Sequence, residues 1–249
     1  MHAAKQRSGG FTLISMLVGL VIGVLSIAAM LVLYRSLITA AQQINTQAAN
    51  DGQIATSSLV SQQQLQQAGF GISSAAPGTD LVVLTGAALA KGQLSGTAAA
   101  SYGATVTGNA VIWGYNPTGI SGTPNPSGYL CEGLIVTNSV INGVSRSVLQ
   151  WLSPVGCSNA AQWQSVNWQG NQLASIPTAS IGTSLNFQVT PATCWPYGQT
   201  TAISSLQVSY YQYPQTGTTA PTPASGSTAS TAQFEAIPFY SICLPNFNL

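Results

Sequence analysis

The sequence predicts an α+β fold in which one long N-terminal helix packs against an antiparallel β-sheet head. Three observations carry this expectation. Residues Phe11 to Tyr34 contain neither a charge nor a proline. Arg35 to Ala68 continues without proline, rich in Gln and Ala, with apolar residues at helical spacing. Beyond Gly71 the texture changes to short apolar runs divided by turn residues, and a helix followed by a strand meander reads as α+β.

Taken in order, residues 1–10 form a short polar leader carrying Lys5 and Arg7 and ending in Gly9-Gly10. Residues 11–34 are long enough to cross a hydrocarbon core of about 30 Å as a helix. The run exceeds the apolar region of a secretory signal, and no small-x-small cleavage site follows it. Lys5 and Arg7 before the run, against Arg35 after it, favour a single-pass anchor with its N-terminus in the cytoplasm and the bulk exported. Gly19 and Gly23 make a G-x-x-x-G pair that lets membrane helices approach closely.

Residues 35–70 read as the amphipathic half of the same helix. Leu37, Ala41, Ile44, Ala48, Ala55 and Leu59 form one expected apolar face, with Ile54, Leu65 and Ala68 on a neighbouring stripe. Gly52 marks a local weakness, and Gly69 supplies the cap at which the helix stops. Phe11 to Ala68 then makes a rod on the order of 85 Å.

Residues 71–249 form the β-rich head. Strand-like runs fall at 81–84, 110–115, 133–140, 148–152, 185–189, 203–213 and 234–242. Asn116-Pro117, Pro124-Asn125-Pro126, Asn142-Gly143 and Ser153-Pro154 separate several of them. Asn142-Gly143 between alternating runs is the strongest hairpin signal. Residues 214–233 hold almost only Thr, Ala, Pro, Ser and Gly and read as a flexible exposed loop.

Charge is the scarce element: five basic and four acidic residues in 249. Without the leader, Arg35, Lys91 and Arg146 remain against Asp51, Asp80, Glu132 and Glu235. No basic patch exists to displace counterions from a phosphate backbone, so a nucleic-acid partner is not expected. Surface polarity must come from Ser, Thr, Asn and Gln, which neither titrate nor are screened by salt. Such a surface suits an uncontrolled exterior, an acidic one included.

The chemistry of catalysis is thin. The single histidine, His2, lies in the leader, so no Ser-His or Cys-His pair survives its removal. Neighbouring acids stand far apart in the chain, without paired-carboxylate or metal-loop spacing. Cys131, Cys157, Cys194 and Cys243 form no C-x-x-C pair and no zinc set, and no cofactor or metal is expected. In an oxidising compartment an even number reads as two disulfides. Three pairings are open; the sequential one, Cys131–Cys157 with Cys194–Cys243, is favoured. A structural subunit is expected, not an enzyme.

Ser8-Gly9-Gly10-Phe11-Thr12-Leu13-Ile14-Ser15-Met16, opening an uncharged helix, resembles the N-terminus of type IV pilin precursors. The resemblance implies cleavage by a prepilin peptidase between Gly10 and Phe11 and N-methylation of Phe11. It also implies the type IV pilin fold. Ser61-Gln62-Gln63-Gln64-Leu65-Gln66-Gln67-Ala68-Gly69-Phe70-Gly71 is similar to the helix end of PilW-type minor pilins, which close on an "LxxxLRQAGY" pattern. Gly128-Tyr129-Leu130-Cys131-Glu132-Gly133 with Cys157, and Ile203 to Tyr211, resemble features of their heads.

The implied life history is anchoring in the inner membrane, then extraction by an ATP-driven assembly platform into a filament. Other major and minor pilins would be the neighbours there, with the heads facing the periplasm and then the exterior. One departure stands out. The fifth mature residue of the family is usually Glu, paired with the amine of the preceding subunit, and here it is Ser15. A subunit lacking that carboxylate fits the first position of a filament, at its tip, although a tolerated variation in a minor subunit placed elsewhere remains open. A type II secretion pseudopilin shares this N-terminus and is the alternative expectation. A tip adhesin or DNA-uptake subunit is a second, with exposed Trp163, Trp168 and Trp195 as its surface; ordinary core positions are the blander reading of these tryptophans.

Overall fold

The computed structural model describes residues 13–119, 128–178, 183–195, 200–214, 238–247 and 249. Gly10 and Phe11, the Pro124-Asn125-Pro126 turn and residues 215–237 lie outside them. The chain divides into two compact units at Ala49/Asn50. Helix α1 spans Leu13–Leu65, so the division falls within it.

In the first unit every described residue is helical and exposed. One eighteen-residue window of α1 has a mean hydropathy of 2.8, enough in length and composition to cross a membrane. Three of its hydroxyls turn inward on the backbone. Ser26 Oγ donates to the Ile22 carbonyl, Thr39 Oγ1 to Arg35 and Thr46 Oγ1 to Gln42, at 2.8–2.9 Å. These three hydroxyls are thus satisfied within their own helix, the condition an apolar medium imposes.

The second unit packs residues 50–65 of α1 with two antiparallel sheets. β1 (Leu81–Ala90), β2 (Gln93–Ala98), β4 (Ala110–Tyr115), β5 (Leu130–Ile141), β6 (Val144–Gly156) and β7 (Gly170–Pro177) form one sheet in the order β2-β1-β4-β5-β6-β7. β3 (Val106–Gly108), β8 (Thr183–Cys194), β9 (Ile203–Pro214) and β10 (Pro238–Leu244) form the other, ordered β10-β9-β8-β3. The chain crosses between them at Asn109.

Alternation explains why the larger sheet is buried on both faces. Val111, Trp113, Leu134, Val136 and Leu149 point toward the second sheet and the end of α1. Ala110, Ile112, Ile135 and Leu152 point the other way, under a 3-10 turn at Ala160–Ser165. Trp163 and Trp168 fill that second core, and Trp168 Nε1 donates to the Trp163 carbonyl at 2.8 Å. These two tryptophans are therefore core residues, not adhesive surface. Trp195 alone of the three is exposed, at 70 %.

The expected seven strand runs all lie on or overlap strands, and β2, β3 and β7 are additional. Asn142 and Gly143 close the β5–β6 hairpin with φ of 52° and 76°, the double positive φ that a type I′ turn requires. Gly52 does not interrupt α1. Regular helix ends at Leu65, three residues before the expected end, and a turn leads to Gly69 at φ 74°. The Gly69 N–H donates to Gly114 of β4 at 2.8 Å. Asn246 Nδ2, just beyond β10, donates to the Ala68 carbonyl at 2.8 Å.

The expected apolar face of the helix is a correction. Leu37, Ile44 and Leu59 are 62 %, 66 % and 62 % exposed, and Ala41, Ala48 and Ala55 are exposed with them. The face that packs is that of the neighbouring stripe, Ile54, Leu65 and Ala68, together with Asn50, Gln53, Ser57 and Ser61. At 100° per residue its centre lies about 150° around the helix from the first stripe. That face joins the core that holds Phe187, Tyr210 and Tyr240, whose ring centroids are 5.2 and 5.6 Å apart, and it sets Ile54 and Leu65 beside the small Ser57 and Ser61.

The two faces should respond differently to truncation. Leu65→Ala removes a fully buried side chain and should cost about 3 kcal/mol, whereas Leu59→Ala should change stability by less than about 0.5 kcal/mol. Urea unfolding of the detergent-solubilised chain measures both. Equal losses would mean that the packed face has been misassigned.

Candidate functional site

The sequence singled out two kinds of position, helix residues for assembly and cysteines for the head. Ser15, Gly19 and Gly23 all lie on α1 and are exposed. Nothing approaches within 4 Å of where a Cβ on Gly19 or Gly23 would sit. Gly19, Gly23 and Ser26 fall at i, i+4 and i+7, so they share a face and leave a shallow track in an otherwise bulky apolar surface. Such a track admits the backbone of a second helix.

In the head, one disulfide joins Cys131 to Cys157 and the other joins Cys194 to Cys243. The first ties β5 to the segment leading into the Ala160–Ser165 turn, beneath which Trp163 and Trp168 are packed. The second ties the end of β8 to β10 across β9. Sequence separations of 26 and 49 residues correspond to about 3.5 and 4 kcal/mol of chain-entropy stabilisation.

Asp80, Tyr129 and Glu132 form the polar interior of the head, and sequence reasoning passed over them. Asp80 Oδ2 accepts from the Ala76 N–H at 2.9 Å and Oδ1 accepts from the Tyr129 hydroxyl at 2.6 Å, fixing the entry to β1 against β5. Glu132 is fully buried on β5, across from Trp113 of β4. Trp151 Nε1 donates to its Oε1, while Oε2 and the Trp113 indole N–H have no partner among the described residues. Burial pushes the Glu132 carboxyl up to about 7, against a smaller lowering by the Trp151 bond. Burial, and secondarily the Glu132 charge, also raises the Tyr115 phenol. The one sequence signal was a lone acid inside an apolar run, Leu130-Cys131-Glu132-Gly133-Leu134.

Among the described residues no group of three His, Cys, Asp or Glu side chains is placed to hold a metal ion. What the arrangement provides is an apolar helix and a stapled, nearly uncharged head. The chain matches no family model, no curated protein and no solved structure.

The position of Glu132 gives the head a signed pH dependence. The folded state keeps a proton that the unfolded chain releases above its ordinary value of 4.5. Stability should therefore be full below about pH 4.5, fall as pH rises toward 7, and level off above it. The loss should be about 3 kcal/mol. Glu132→Gln should flatten the profile, read as chemical-denaturation midpoints from pH 4 to 8. A wild-type profile already flat over that range would show that the carboxyl is solvated.

Proposed function

We propose that this chain is a minor subunit of a type IV pilus system, working as a structural part in pilus assembly and not as an enzyme. The observation that carries the reading is Gly9-Gly10-Phe11 opening an uncharged helix that leads into a disulfide-stapled β head. The precursor is cleaved after Gly10 and N-methylated on Phe11 by the prepilin peptidase. It then waits in the inner membrane with its N-terminus in the cytoplasm. The assembly platform lifts it among other major and minor pilins, with the head first in the periplasm and finally outside.

The helix surface supports this path. A subunit moving between lipid and a bundle of helices needs one surface acceptable to both. Leucines, isoleucines and valines with a small-residue track meet that need, and no charge stands between Leu13 and Tyr34. Ser15 supports an initiating or tip position. Without a carboxylate there is no group to neutralise the amine of a preceding subunit, and none is required in the first subunit. Avoiding a buried carboxylate also spares the anchor a few kcal/mol at mid-membrane.

Intact mass of the chain purified from membranes tests the processing step. A mature protein beginning at N-methylated Phe11 is expected, and a chain retaining Met1 would overturn it. Gold-labelled antibody against the head should collect at filament ends. Even labelling along the shaft would remove the tip position. Loss of protein secretion with intact surface pili after deletion would point to a secretion pseudopilin instead.

A further inference from the structure

Beyond the crossing at Asn109, part of β5 has no neighbouring strand on its β4 side among the described residues. β4 pairs with β5 from Tyr115↔Leu130 to Ala110↔Ile135. One residue later the Val136 N–H still donates to the Asn109 carbonyl at 2.7 Å. The chain before Asn109 belongs to β3 in the other sheet, where Gly108 pairs with Phe187. β5 nevertheless runs on to Ile141, with β6 along one side only. In an antiparallel strand the N–H and C=O of alternate residues point to the same side. Val136 points toward β4, so Asn138 and Val140 do also. Their backbone groups meet no strand among the described residues.

The Asn109 side chain shows what this gap accepts. Its Oδ1 accepts from the Ala87 N–H at 2.7 Å, and its Nδ2 donates to the carbonyls of Ala87 at 2.7 Å and Val136 at 2.9 Å. One side-chain amide thus takes the place of a peptide group between β1 and β5. Beyond it opens a cleft of about 640 Å³, walled by Gly86 and Ala87 of the bulged β1, Gly108, Asn138, and Leu185 with Asn186 of β8. No lining residue is charged.

We propose that this cleft and the open edge at Asn138–Val140 receive an extended, uncharged polypeptide segment of a partner protein, which adds to β5 as a strand. Two outer edges, β7 and β10, carry protection that this one lacks. On β7, Gln53 of α1 accepts from the Ser175 N–H at 3.1 Å, and Pro177 ends the strand. β10 begins with Pro238. Asn138–Val140 has no proline, charge or bulge, and Val140 is 70 % exposed. The walls of the cleft recess its inner end, so a free segment reaches it and the edge of another folded sheet does not. Small and amide-bearing walls select an uncharged occupant, because a charge there would lose water without gaining a counter-ion. The inference is independent of the filament reading.

The test titrates the detergent-solubilised full chain with a panel of ten-residue uncharged peptides, alternating Thr with Val, Ile, Ala or Ser. At least one should bind saturably below 1 mM (roughly the weak end of measurable affinity) and slow hydrogen exchange at the Asn138 and Val140 amides at least about tenfold. N-methylation at alternate peptide residues should abolish binding when it falls on the pairing edge and spare it on the other; this arm leaves the protein unaltered. Asn138→Pro, checked for both disulfides and an unchanged far-ultraviolet spectrum, should bind at least about tenfold more weakly. The proposal fails if no peptide binds, if both N-methylated series bind alike, or if protection appears away from β5.

Discussion

The close approach between the last turns of α1 and the two sheets is the contact on which the head depends. Leu65 and Ala68 share one core with Val111 and Trp113 of the larger sheet and Phe187, Val208 and Tyr240 of the smaller. Gly69 is bonded to β4, and Asn246 beyond β10 is bonded back to Ala68, so both sheets are registered by the same few residues of the chain. A Cβ on Gly69 would lie 2.8 Å from Asn246 Cβ and 3.0 Å from the Phe247 ring. The spacing tolerates nothing larger, and the positive φ independently favours glycine. On the last turns of the helix Ser57, Ser61 and Leu65 face inward with Ile54 beside them, and Leu59 faces outward.

That inversion gives the chain its character. A helix whose large apolar residues are all spent on its own head has nothing left for a neighbour; here the head takes Ile54 and Leu65 with small and amide side chains, and Leu37, Ile44 and Leu59 remain exposed. The head compensates for a nearly uncharged surface with amides and hydroxyls, which hydrate without titrating. Glu132 is the exception. Buried between two tryptophans with one oxygen unpartnered, it ties stability to proton concentration in the direction of acid tolerance, since protonation relieves its desolvation.

The long helix and its apolar half were legible in the sequence because an uncharged, proline-free run has few other uses. β4 and the Asn142-Gly143 hairpin were legible too, from β-branched alternation and a turn dipeptide. β2 and β7 were not, because Gln93-Leu94-Ser95-Gly96 and Gly170-Asn171-Gln172-Leu173 carry almost no β-branched residues; their neighbours in the sheet impose the extended form. The main helix face was misread because periodicity weighs apolar residues alone; the neighbouring stripe of Ile54, Leu65 and Ala68 packs instead, with Asn50, Gln53, Ser57 and Ser61, which no hydrophobic pattern marks. Trp163 and Trp168 occupy the ordinary core positions of the blander reading, although a polar, Gln- and Asn-rich segment surrounds them in sequence. The open edge of β5 follows from where the chain changes sheets, which no local pattern records.

The central claim is that the outward stripe of the helix is an assembly surface, covered in the filament and bare in the isolated subunit. Maleimide labelling of Ile44→Cys and Leu59→Cys chains measures this directly, since the four native cysteines are held in disulfides. Both positions should label rapidly in detergent-dispersed subunits and at least about tenfold more slowly in sheared surface filaments, as expected for groups buried in a packed helical core. Equal labelling in the two states, or absence of the chain from the filament fraction, would contradict it.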